Sequence, residues 1–196
     1  MMSIYFLFAF VMVMASAVDS LEAAFSKQVL GLSNSEYGFL VSIAGIGIIS
    51  GAIINTIIVK RMPVSILIGI GSLFVSIGYL IYAFSASFSA AAIGFYVLVF
   101  FLSFANTGFS TFYQDHITAG MMGRVTSIYG LIQSVFTVIV TMAFGFAAQL
   151  MPLQHVVLAG VLMMLMISIA LCVCNFQPTR SSFYRRNETA NSIIEE

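Results

Sequence analysis

Residues 153–174 read LQHVVLAGVLMMLMISIALCVC, a run without one Asp, Glu, Lys or Arg. A helix needs about 20 predominantly apolar residues to cross the hydrocarbon core of a bilayer, so this run is long enough to span. From Val156 to Cys174 its only hydroxyl is Ser168, which is how a helix turned towards lipid reads. Working back towards the N-terminus, five further runs follow the same rule. The first starts near Ser3 and meets no charge before Asp19, and the others cover about Tyr37–Val59, Val64–Phe84, Ala90–Tyr113 and Val125–Gln149. Polarity does not alternate along them, as the strands of a membrane barrel would require.

The composition fits lipid as the solvent. The chain of 196 residues is 61% hydrophobic and 7% charged, against roughly 25% charged in soluble domains. A formal net charge of zero leaves no basic patch for nucleic acid. The sequence therefore predicts an all-α membrane protein with six transmembrane helices in one domain, residues 1–175. A polar tail, residues 176–196, follows, because Pro178 cannot continue the last helix and charged residues come after it.

Charge placement orients the spans. Lys60 and Arg61 follow the second helix, Arg124 the fourth, and Arg180, Arg185 and Arg186 the sixth, whereas Lys27 stands alone on the other side. Lys and Arg concentrate on the cytoplasmic side, so both termini and the tail are expected in the cytoplasm. Ala15-Ser16-Ala17 looks like a signal-peptidase site, but residues 1–10 hold no Lys or Arg, and a signal peptide needs a positive n-region. The segment is expected to remain.

Polar residues inside a span are costly unless they face protein or water, so their spacing reports which helices line something. In the fifth helix Tyr129, Gln133, Thr137 and Thr141 recur every fourth residue, with Ser134 beside them. In the fourth, Ser103, Thr107, Ser110 and Gln114 share a face, with Asn106 adjacent. These stripes line a cavity or join helices by hydrogen bonds. Gly47, Gly51 and Asn55 of the second helix share a face that suits close helix packing. Asp19 and Glu22, one turn apart near the outer end of the first helix, are either a hydrated helix end or proton carriers. Cys172 and Cys174 read as apolar fillers, and no His/Cys cluster has metal-ligand spacing. His116 and His155, the two histidines, fall in loops. No nucleophile motif, metalloprotease motif or phosphate-binding loop occurs, so no catalysis and no cofactor is expected.

Three stretches resemble the major facilitator superfamily. Lys27-Gln28-Val29-Leu30-Gly31-Leu32-Ser33 followed by Glu36-Tyr37-Gly38 is similar to the family's link into its eighth helix. Gly51 followed by Lys60-Arg61 resembles the short basic loop after that helix, without its acidic partner. Gln114 followed by Met122-Gly123-Arg124-Val125-Thr126-Ser127 resembles the segment between helices ten and eleven, with Thr118 where the family often has Pro and Gly120 where it often has an acid. The resemblance is to the C-terminal six-helix half of a twelve-helix transporter, and within the family to bacterial drug and macrolide exporters.

That resemblance implies two inverted three-helix repeats, about residues 3–84 and 90–175, in a bacterial plasma membrane. It implies secondary transport of a small molecule, with efflux as its direction, alongside a second six-helix half that is a separate chain or another copy. Helices one, two, four and five would face the cavity, with three and six outside. Ser103, Asn106, Thr107, Ser110, Tyr129, Gln133, Thr137 and Thr141 would be cavity residues. Lys60, Arg61, Gln114, Asp115, Gly123 and Arg124 would serve gating at the cytoplasmic loops, and Asp19 and Glu22 would be proton-linked. The alternative is a non-transporting membrane remnant, or an assembly partner of another membrane protein.

Overall fold

The computed structural model describes residues 2–59, 62–117 and 119–176. They form six helices, α1 (Met2–Gln28), α2 (Asn34–Ile58), α3 (Val64–Ala83), α4 (Phe88–His116), α5 (Ala119–Leu150) and α6 (Leu153–Phe176). All six are long and apolar enough to cross a membrane. The chain is an all-helical, multi-pass membrane protein. Residues 177–196 of the expected tail lie outside the described residues.

The breaks between helices have local causes. Gly31, with a φ of 67°, makes a left-handed turn that L side chains adopt at a cost. Around it, the carbonyls of Phe25 and Ser26 accept from the N–H groups of Val29, Leu30 and Leu32. Ser33 then caps α2. Its side chain accepts from the Glu36 N–H at 3.3 Å, and the Glu36 carboxylate accepts from the Ser33 N–H at 2.8 Å, a reciprocal capping box. Pro63 is the N-cap of α3 and Ser87 that of α4, while Pro152 separates α5 from α6. No proline lies between Pro63 and Pro152, so α4 and α5 run on past the apolar spans into polar sequence. Gly123 and Arg124 are thereby helical rather than in a loop, and His155 sits in the first turn of α6.

The helices pack in the order α2, α4, α3, α6, α1, α5. Beyond that series, α1 only grazes α2 and α3, and α5 only grazes α6. The order reads the same from either end when the first three helices are exchanged for the last three. It also sets burial. The middle helix α3 buries Ile68, Ser72, Val75, Ser76, Tyr79 and Tyr82, whereas none of the described residues of the end helix α5 is buried. Helix α3 was expected on the periphery, yet α4 and α6 cover it. Helix α6 buries one stripe, Val157, Val161, Met164, Ser168 and Leu171, and turns Met163, Met166 and Val173 outward.

Lipid tails are as apolar as leucine, so close packing and hydrogen bonds must hold such helices together. Small residues supply the first. A Cβ on Gly78 would lie 2.5 Å from the Leu98 amide nitrogen, and one on Gly94 would lie 2.8 Å from that of Tyr82. Gly71 meets Ala105, and Gly108 meets Leu67 and Ile68, in the same way. Between α2 and α4, Gly47 fits against Val99 and Tyr96, and Gly51 against Ser103 and Phe100. Hydrogen bonds cross the central contact of α3 with α6. Ser76 and Ser168 pair their hydroxyls at 2.7 Å, and Asn175 donates to the Ser65 carbonyl. Ser168, read from the sequence as an isolated hydroxyl on a bland helix, has a partner that only folding reveals.

Candidate functional site

The two polar stripes separate once hydrogen bonds are assigned. On α4, Ser103 and Thr107 face α2. Asn55 donates from its Nδ2 to the Ser103 carbonyl at 3.2 Å and to the Thr107 hydroxyl, which itself donates to the Ser103 carbonyl at 2.8 Å. Ser103 donates to the Phe100 carbonyl at 2.7 Å. These side chains join helices. Asn106, Ser110 and Gln114, at intervals of four residues, are exposed and make no side-chain hydrogen bond among the described residues.

On α5, Tyr129, Gln133, Thr137 and Thr141 form the half-buried face, the side towards α1, and Ser134 is exposed. The Phe6 and Tyr129 rings meet edge to face at 6.4 Å, and those of Phe10 and Phe136 lie tilted at 5.7 Å. Gln133, Thr137 and Thr141 make no side-chain hydrogen bond among the described residues. In a span this is unusual, because an unpaired polar group in hydrocarbon costs free energy.

Gln133 borders two hollows. A cleft of about 380 Å³ separates α4 from α5, with Ser110, Tyr113 and Gln114 on one wall and Thr126, Gly130 and Gln133 on the other. It narrows where the Tyr113 hydroxyl donates to the Met122 carbonyl at 3.0 Å and pairs with the Thr126 hydroxyl. A smaller pocket, about 100 Å³, lies between α1 and α5 and is walled by Phe6, Phe10 and Val13 against Tyr129, Gln133 and Phe136. At 1.5 Å per residue, Gln133 stands about 21 Å from the start of α5, near the middle of the helix. The site thus joins aromatic surface, small hydroxyls and two amides, Gln114 at the end of α4 and Gln133 near the middle of α5, that make no side-chain hydrogen bond among the described residues. Among the described residues no group of His, Cys, Asp or Glu could hold a metal ion.

Asp19 and Glu22 form a separate cluster. The Tyr79 hydroxyl donates to Asp19 Oδ1 at 2.6 Å, and the Tyr37 hydroxyl donates to Glu22 Oε1 at 2.9 Å. Tyr82 donates to the Glu22 carbonyl at 3.0 Å and shares a 2.9 Å hydrogen bond with Ser26. These bonds tie α1 to α2 and α3, helices it scarcely touches otherwise. The sequence reading missed the tyrosines. A signal was present, since α1 and α3, two crossings apart, run in the same direction and bring Asp19 and Glu22 level with the end of α3, where Tyr79 and Tyr82 stand.

Of the expected gating residues, Gln114 lines the cleft. Gly123 and Arg124 lie on an exposed turn of α5, with open space beside Gly123. Lys60, Arg61 and the side chain of Asp115 lie outside the described residues. Cys172 and Cys174 are free thiols, half-buried and exposed respectively.

Compared with known proteins, the chain matches no family model, no curated protein and no solved structure.

Proposed function

We propose that this chain is one six-helix wall of a secondary transporter, related to the C-terminal half of the major facilitator superfamily, and moves a small molecule across the membrane by efflux. One observation carries the reading: Gln133, Thr137 and Thr141 on α5, and Asn106, Ser110 and Gln114 on α4, make no side-chain hydrogen bond among the described residues, yet stand on membrane-length helices beside a cleft. Polar groups so placed in a bilayer mark a water-filled path or a contact with another protein. The palindromic packing order supports two three-helix repeats, since three crossings invert the second unit relative to the first.

On this reading the unburied α5 and the outer face of α2 meet a second six-helix unit, a separate chain or a second copy. Transport proceeds by rocking of the two units around a site near the midplane. Both termini are cytoplasmic, in a bacterial plasma membrane. Lys60, Arg61, Gln114, Asp115, Gly123 and Arg124 serve the cytoplasmic gate, and Asp19 and Glu22 carry the coupled proton.

Thiol accessibility tests the carrying observation. With Cys172 and Cys174 replaced by Ser, single cysteines at Ser110, Gln133 and Thr137 should react with a membrane-impermeant reagent. Cysteines at Ser103 and Ser168, which pack against other helices, should not. Equal protection of all five would make the stripes packing contacts. Counterflow in vesicles holding the chain with a separate second unit, or with the chain alone if that unit is a second copy, tests transport itself. Absence of counterflow in both leaves the chain as a non-transporting assembly partner.

A further inference from the structure

The walls around Gln133 are chemically uniform in one respect. The pocket between α1 and α5 and the cleft between α4 and α5 are lined, among the described residues, by no side chain charged at neutral pH. Among the described residues the nearest charges point elsewhere. Asp19 and Glu22 are engaged by Tyr79 and Tyr37 on the α2 and α3 side of α1. Arg124 precedes Gln133 by nine residues, two and a half turns, which puts it on the opposite face of α5.

We infer that this site takes an uncharged, aromatic molecule bearing a strong hydrogen-bond acceptor, which the Gln133 amide binds from its N–H groups. The inference rests on the transport reading for the site's purpose and goes beyond it in naming the ligand class. An ion brought to mid-membrane needs a counter-charge or a dense shell of dipoles, and this lining offers neither. Aromatic faces do attract cations, and Phe6, Phe10 and Phe136 could act so. That attraction is small against the desolvation of a full charge, and a cation leaves the amide N–H groups without an acceptor. A neutral acceptor uses both features: rings stack on rings, and the acceptor satisfies an amide that otherwise lacks a partner at this depth.

Three probes of similar shape separate the cases: neutral triphenylphosphine oxide, cationic tetraphenylphosphonium and anionic tetraphenylborate. Binding is measured by equilibrium dialysis to the full chain in zwitterionic nanodiscs, with empty nanodiscs subtracted. Triphenylphosphine oxide should bind saturably, and neither ion should exceed the empty disc. Gln133→Leu should weaken the neutral probe about fivefold to tenfold, the loss of one hydrogen bond. Gln133→Glu keeps the size and adds a charge, so it should weaken the neutral probe and admit the cation. Tighter binding of tetraphenylphosphonium than of the neutral probe by the unmodified chain would overturn the inference, as would an unchanged affinity in both variants. Counterflow with a preference for the cation would defeat the ligand class and leave transport standing. Neutral binding without counterflow would do the reverse.

Discussion

The contact of α3 with α4 makes Gly78 the sharpest place to test the packing. Replacement by Ala puts a Cβ 2.5 Å from the Leu98 nitrogen, 2.6 Å from its Cβ and 2.7 Å from its Cα. Two of those three atoms are backbone, so no rotamer relieves the clash. Carbon atoms pack at about 3.5–4.0 Å, so the helices must separate locally by about 1 Å. A gap of that size forfeits at least a quarter of each contact it opens, and a buried leucine makes about 50 contacts of about 0.15 kcal/mol. Leu98 alone then loses about 2 kcal/mol, within the range seen for overpacked cores. Alanine returns up to about 1 kcal/mol through its better helix propensity. The net expectation is a loss of about 1–2 kcal/mol, close to a factor of ten in the folded population. Gly45 provides the control, because an added Cβ there meets nothing within 4 Å, and Gly45→Ala should be neutral or slightly stabilising. Both variants are compared with the unmodified chain by reversible unfolding in mixed micelles of mild detergent and dodecyl sulfate. Equal stability of Gly78→Ala and Gly45→Ala would refute the close approach of α3 and α4.

Three further outcomes are expected. Ser76→Ala and Ser168→Ala should each destabilise, and a double-mutant cycle in the same micelles should give a coupling of about 0.6 kcal/mol; zero coupling would remove that bond from the central contact. Ser72, whose buried hydroxyl has no partner among the described residues, should behave oppositely, with Ser72→Ala neutral or stabilising by up to about 1 kcal/mol, and a loss as large as that of Ser76→Ala would show that the hydroxyl is bonded. For orientation, reporter fusions at Ser33, Ser87 and Gln154 should read as external and fusions at Pro63 and Ala119 as cytoplasmic, and consistently reversed readings would overturn the positive-inside assignment.

The sequence by itself determined the number and kind of elements. A span in lipid must satisfy its backbone internally and carry about 20 apolar residues, so residues 153–174 and their five counterparts declare themselves locally. Pro63, Pro152, Gly31 and the Ser33–Glu36 capping box mark breaks for equally local reasons. The packing role of Gly47, Gly51 and Asn55 was legible too, because residues at that spacing share one helix face. What each face meets was not legible. Helical periodicity says which residues point the same way and leaves open whether lipid, water or another helix lies there. Ser103 and Ser110 belong to one stripe on paper, yet Ser103 packs on α2 and Ser110 borders the cleft. Ser168 read as an isolated hydroxyl until Ser76 of a helix 92 residues away came against it. Asp19 and Glu22 read as a hydrated helix end or as proton carriers, and neither reading contains the hydroxyls of Tyr37 and Tyr79 that reach them. Only the tertiary structure decided these pairings, because hydrophobicity drives segments into a membrane without choosing among neighbours, and the choice falls to fitted glycines and single hydrogen bonds between residues far apart in the chain.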